Sequence, residues 1–240
     1  MKNRTNCKYL PAFTALLGIA GFALRWLLYS LTVDNRNLIP LWHPLEIGLW
    51  IVTAAAVLLI VFQIRKLRHP HNDANRFRPA PLAAAGSLVL AGGILAAVLG
   101  DGLQLSDMEM VRDLLGIVAT LAMVAVTVYR WRGLEPFFLL HGVVCVFFAL
   151  HMVTCYQSWS SNPQLMDYVF TLFSCIGLML FAFYHGCLEA GMGKLRLLPA
   201  VGLLTTYCCI VALSGTEFTL LYLSGAVWTL TNLLGLHTGE

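Results

Sequence analysis

PLAAAGSLVLAGGILAAVL, residues 81–99, contains no charge and only one hydroxyl, Ser87. A helix that crosses a bilayer takes about 20 apolar residues at 1.5 Å rise each, so this run has the length of one crossing. It also lacks the polar face that a helix on a soluble core needs. Pro81 suits its entry, because the first helical turn leaves that N–H unpaired anyway.

Seven further runs of the same kind flank it, at residues 10–31, 41–64, 111–129, 137–156, 165–187, 197–213 and 218–236. The expected fold is therefore all-α, a polytopic transmembrane bundle of about eight helices forming one membrane domain over residues 1–240. Hydrophobic residues make up 59% of the 240 and charged residues 11%, against about 45 to 50% and about 25% in soluble domains. Eight crossings leave no room for a separate soluble domain. Lys2, Arg4 and Lys8 precede the first run as in a signal peptide, but the run outlasts a signal core of about 7 to 15 residues, which predicts a retained first helix.

Basic residues set the expected orientation. Lys2, Arg4, Lys8, Arg65, Lys66, Arg68, Arg76, Arg78, Arg130, Arg132, Lys194 and Arg196 fall on one side, while only Arg36 and Arg112 fall on the other. Cytoplasmic loops retain positive charge, so both termini are expected in the cytoplasm. Tyr9, Tyr129 and Trp131 mark the inner interface, and Trp42, Tyr156 and Trp159 the outer one. The segment 65–78 reads as a cytoplasmic loop. A net charge of +3, clustered beside apolar runs, gives no nucleic-acid footprint. The seven cysteines show no C-x-x-C spacing and read mostly as small buried hydrophobes.

Ionisable residues inside the runs are the candidates for function, because each costs about 3 kcal/mol at the membrane centre on insertion scales. In the outer half these are Arg25, Glu46, His151 and Asp167, with Arg25 and Glu46 expected to face each other across the first hairpin. Asp113 and Asp167 sit early in their helices, where capping is expected. Near the inner face, His141 and His185 fall at similar depth on antiparallel helices, and Glu189 follows His185 by one helical turn. Hydrogen-bonded histidines at a helix interface are the plain reading; as alternatives, two imidazoles and a carboxylate can hold zinc with a position left open, and two histidines on opposing helices can ligate haem. No H-E-x-x-H accompanies them, so the cofactor stays unknown.

Gly92, Ala96 and Gly100, with Gly93 and Ala97 alongside, form a small-residue stripe in the third run, suited to close packing or self-association. Phe22-Ala23-Leu24-Arg25 parallels Phe148-Ala149-Leu150-His151, and Pro44/Glu46 parallels Pro163/Asp167, which leaves a parallel four-plus-four duplication open beside eight unrelated helices.

Gly21-Phe22-Ala23-Leu24-Arg25-Trp26-Leu27-Leu28-Tyr29, with Val33-Asp34, Leu38-Ile39-Pro40 and His43-Pro44, resembles a group of uncharacterised bacterial multi-spanning membrane proteins over the first two helices. The resemblance implies a bacterial plasma-membrane setting and no particular activity. Gly100-Asp101 and residues 142–151 carry glycine, aspartate and histidine as the lysoplasmalogenase-like family does, but the spacing is too wide to carry over a catalytic residue. Three functions fit these features: an accessory or partner-binding membrane subunit, a small permease with an outer-half polar site, or a metal-dependent membrane enzyme.

Overall fold

A computed structural model of the chain describes residues 10–32, 43–66, 80–100, 107–134, 137–160, 168–192, 197–215 and 218–237. Among them all regular structure is helical. The elements are α1 (Leu10–Thr32), α2 (Pro44–Lys66), α3 (Pro81–Gly100), α4 (Asp107–Trp131), α5 (Phe138–Trp159), α6 (Val169–Glu189), α7 (Leu197–Ala212) and α8 (Thr219–His237). Each apolar run became one helix. Their ends moved by a few residues; α2 starts at Pro44, and α4 starts earlier than expected, at Asp107. The loop at 67–79, Trp42, and residues 161–167 with Pro163 and Asp167 lie outside the described residues.

Six helices, α1 to α6, are long and apolar enough to cross a membrane. α7 has 16 residues, a rise of about 24 Å, and the apolar part of α8, Thr219–Leu234, is similarly short. Both are packed deep among the others. By contrast, Leu16, Leu31, Ile51, Leu58, Leu99 and Leu121 are each more than half exposed. In water such a surface would be an aggregation patch; against lipid it is the matched one. The chain is a multi-pass integral membrane protein.

Helices α3 to α8 close into a ring, each packing on the next and α8 returning to α3, while α1 and α2 lie outside it against α7. The α3–α8 seam is the closest. A Cβ on Gly86 would come within 1.8 Å of Thr231 Oγ1, and one on Gly93 within 1.8 Å of Ser224 Oγ. Of the expected small residues Gly93 makes this seam, whereas Gly92 and Gly100 are exposed, with nothing within 4 Å of an added Cβ. Helix geometry explains the difference, since Gly86 and Gly93 are two turns apart on one face and Gly92 lies about 100° away from it.

The two halves of the chain pack differently. α6 packs extensively on α7, whereas α2 has no comparable contact with α3, which runs instead between α4 and α8. A four-plus-four equivalence is not expressed in this arrangement. The ring interior holds large side chains, including Phe147, Phe148, Phe181, Leu178 and Trp228, all fully buried. Interior hydroxyls bond mostly to their own helix, as Ser87 and Ser174 do to the carbonyls four residues back. Thr206 and Thr229 also meet at 2.8 Å and tie α7 to α8.

Candidate metal centre

One end of the ring, where α4 and α6 finish and α5 starts, gathers the polar groups. Two glycines fix the geometry. Gly133 (φ 68°) and Gly191 (φ 74°) take the left-handed conformation just past α4 and α6. The bonds Leu134 N–H to Tyr129 O and Met192 N–H to Cys187 O, both 2.9 Å, close the same capping motif at both ends. Arg130 and Glu189 are thereby held in the last turns of their helices. A third glycine, Gly186, lets α6 approach α5, since an added Cβ would lie 3.2 Å from Phe138 O and 3.4 Å from His141 Cβ.

The close approach brings together the three inner-face residues expected from the sequence. His141 Nδ1 lies 2.7 Å from Glu189 Oε2, and His185 Nδ1 lies 3.8 Å from Glu189 Oε1. Donor atoms of all three lie within 4.8 Å of one another. The His141–Glu189 contact does not have hydrogen-bond geometry. Both ring nitrogens of His141 and Glu189 Oε2 are therefore buried without a hydrogen-bond partner, although the imidazole is 0% exposed. His141 stacks on His185, and Phe181 and Trp228 pack around the pair edge to face with each other.

Two further groups belong to this centre. Arg130 Nη2 lies 3.1 Å from His185 Nδ1 and 3.4 Å from Glu189 Oε1, and its Nη1 bonds Asn232 Oδ1. The Asn232 amide is oriented by its own helix, donating to Trp228 O at 2.7 Å. Arg130 Nε is buried without a hydrogen-bond partner. In the sequence Arg130 reads as a loop-flanking charge, and Asn232 draws no notice. A usable signal was present: an amide in the otherwise apolar α8 needs a partner in lipid.

Of the outer-half candidates, Arg25 and His151 lie against different neighbours among the described residues. Arg25 is buried, donates to Val211 O at 3.3 Å and Tyr29 Oη at 3.2 Å, and its guanidinium lies over the Tyr29 and Phe170 rings. The expected ion pair with Glu46 does not form among the described residues, because Arg25 sits on the face of α1 turned toward α7 and not toward α2. Glu46 lies half-buried in the first turn of α2, where the helix N-terminus favours a negative charge. His151 packs on Phe147 and Phe218 and is 3.6 Å from Cys155 Sγ. Asp167 lies outside the described residues. Asp113 is no cap: it is buried within α4 and paired with Arg112 at 2.8 Å, which an earlier helix start makes necessary.

No protein-family model, curated protein or solved structure matches the chain. The centre is therefore interpreted on its own geometry.

Proposed function

We propose that the chain is a membrane metalloprotein that binds a divalent transition ion of the zinc class through His141, His185 and Glu189. The observation that carries this is His141. Its ring is fully buried, neither nitrogen makes a hydrogen bond, and Nδ1 lies 2.7 Å from Glu189 Oε2, in ion-pair range but also without a hydrogen bond. Leaving such groups unsatisfied is costly in an apolar setting, and an ion that draws on both lone pairs removes the cost. Two imidazoles and one carboxylate leave a fourth position open, the pattern of catalytic zinc sites and not of structural ones. Arg130 beside it supplies a fixed positive charge. A metal-dependent membrane enzyme is thus favoured over a permease, since Arg25 and His151 have different neighbours, and over an accessory subunit, for which the stripe on α3 stands alone. The charge bias of the loops supports a cytoplasmic position for this end of the ring.

The test is elemental analysis of the chain purified in mild detergent, followed by zinc titration monitored by thermal unfolding. About one ion per chain is expected, and an ion at a hundred times its dissociation constant stabilises by about 2.7 kcal/mol. His141→Ala and Glu189→Gln should remove both effects. A wild-type chain that carries no metal and is not stabilised by zinc would refute the assignment.

A further inference from the structure

Charge balance around the proposed ion identifies what binds beside it. With the imidazoles neutral, as ligation requires, Arg130 and Glu189 cancel. A divalent ion then brings two uncompensated positive charges among side chains that are 13% exposed for Arg130, 10% for Glu189 and less for the histidines. Buried charge is tolerated only when it is paired, and among the described residues Glu189 is the one carboxylate in the cluster.

Arg130 is arranged to supply the pairing. Asn232 holds Nη1; Nε has no hydrogen-bond partner, and Nη2 lies 3.1 Å from His185 Nδ1 and 3.4 Å from Glu189 Oε1, so one of its two N–H groups is left for a further acceptor. The Nε–Nη2 edge of a guanidinium is a planar two-pronged donor matched to two oxygens of one phosphate. Resting on the metal assignment, we infer that this centre binds a phosphate monoester dianion. One oxygen takes the open position on the ion, and two others accept from Arg130 Nε and Nη2. Two negative charges restore neutrality. The phosphate comes either from a soluble monoester or from a lipid headgroup such as phosphatidic acid, and the experiment separates the two sources.

Zinc affinity is measured on the full chain by competition with a chromophoric chelator, with and without phenyl phosphate in detergent. The same titration in vesicles compares phosphatidic acid with phosphatidylcholine. Phenyl phosphate or phosphatidic acid should tighten zinc at least about tenfold, in the usual range of coupling between sites, and singly charged phenyl sulfate should do much less. Arg130→Gln should still bind zinc, more tightly because a competing cation is gone, and should lose the coupling. Arg130→Lys keeps the charge beside Glu189 but lacks the Nε edge, so it guards against misfolding and should also lose most of the coupling. If zinc binds the wild-type chain but neither phosphate source changes its affinity, the anion site is refuted while the metal site stands. If coupling survives in both Arg130 variants, Arg130 is not the donor. If zinc does not bind at all, the metal assignment falls first.

Discussion

His141 and His185, on neighbouring antiparallel helices, stack ring on ring with 5.1 Å between centroids and 13° between planes. Parallel rings cannot both aim an in-plane lone pair at one atom, so ligating a common ion requires one of them to turn. Trp228 lies 6.4 Å from each ring and should register that turn. Zinc is expected to change the tryptophan emission of the wild-type chain, and Trp228→Phe should remove most of the change while retaining zinc binding. An unaltered response in that variant would place the reporter, and the ion, elsewhere.

Arg130 and Glu189 form an ion pair among largely buried side chains. Removing one partner of a buried pair typically costs about 3 to 5 kcal/mol because the other is stranded. Arg130→Gln and Glu189→Gln should each lower the unfolding temperature in detergent, and the double variant should lose clearly less than the two losses combined. Additive losses would show that the contact carries no coupling.

Arg25 and Glu46 should behave independently. Arg25→Ala removes hydrogen bonds of a charged donor, at about 1.5 to 3 kcal/mol each, whereas Glu46→Ala should stay within about 0.5 kcal/mol. Thermal unfolding of both single variants and the double variant checks this, and strong non-additivity would restore the pairing expected from the hairpin.

Gly93→Ala should destabilise by about 1 to 3 kcal/mol through overpacking, because its new methyl would meet Ser224 Cβ at 2.5 Å and Leu220 O at 3.0 Å. Gly92→Ala, in open space, should be neutral or slightly stabilising, as alanine favours the helix by about 1 kcal/mol. Equal effects at the two positions would argue against the α3–α8 seam.

Gly133 and Ser160 bracket α5, a crossing from Phe138 to Trp159. Reporter fusions after these residues should give opposite responses, with the Gly133 fusion cytoplasmic. Two fusions on the same side would remove α5 from the membrane.

Helices α1 to α6 were legible because an apolar run about as long as a bilayer is thick has few alternatives. His141, His185 and Glu189 were legible for a related reason: adjacent antiparallel helices of known length fix depth, and a four-residue step fixes a face. Rotation about the helix axis was not legible. α1 is apolar nearly all round, so no stripe in its sequence says whether Arg25 turns toward α2 or α7. Arg130 was hidden by the same ambiguity, since a cation near a helix end fits a loop flank as well as an interior partner. Asn232 joined it only through the contact of α8 with the ring, which is a long-range fact.

The ring closes between the third helix and the eighth. Arg130, His141, His185 and Glu189 are therefore synthesised before Asn232 and Trp228, and until α8 follows, the basic and acidic groups lack the wall that encloses them. Helices α3 to α7 must be sheltered by the insertion machinery, or by one another, until α8 emerges from the ribosome. A chain stalled before α8 has an open-sided bundle with ionisable groups facing lipid, a form that quality-control proteases can recognise. Enclosing these four side chains therefore waits on the last helix of the chain.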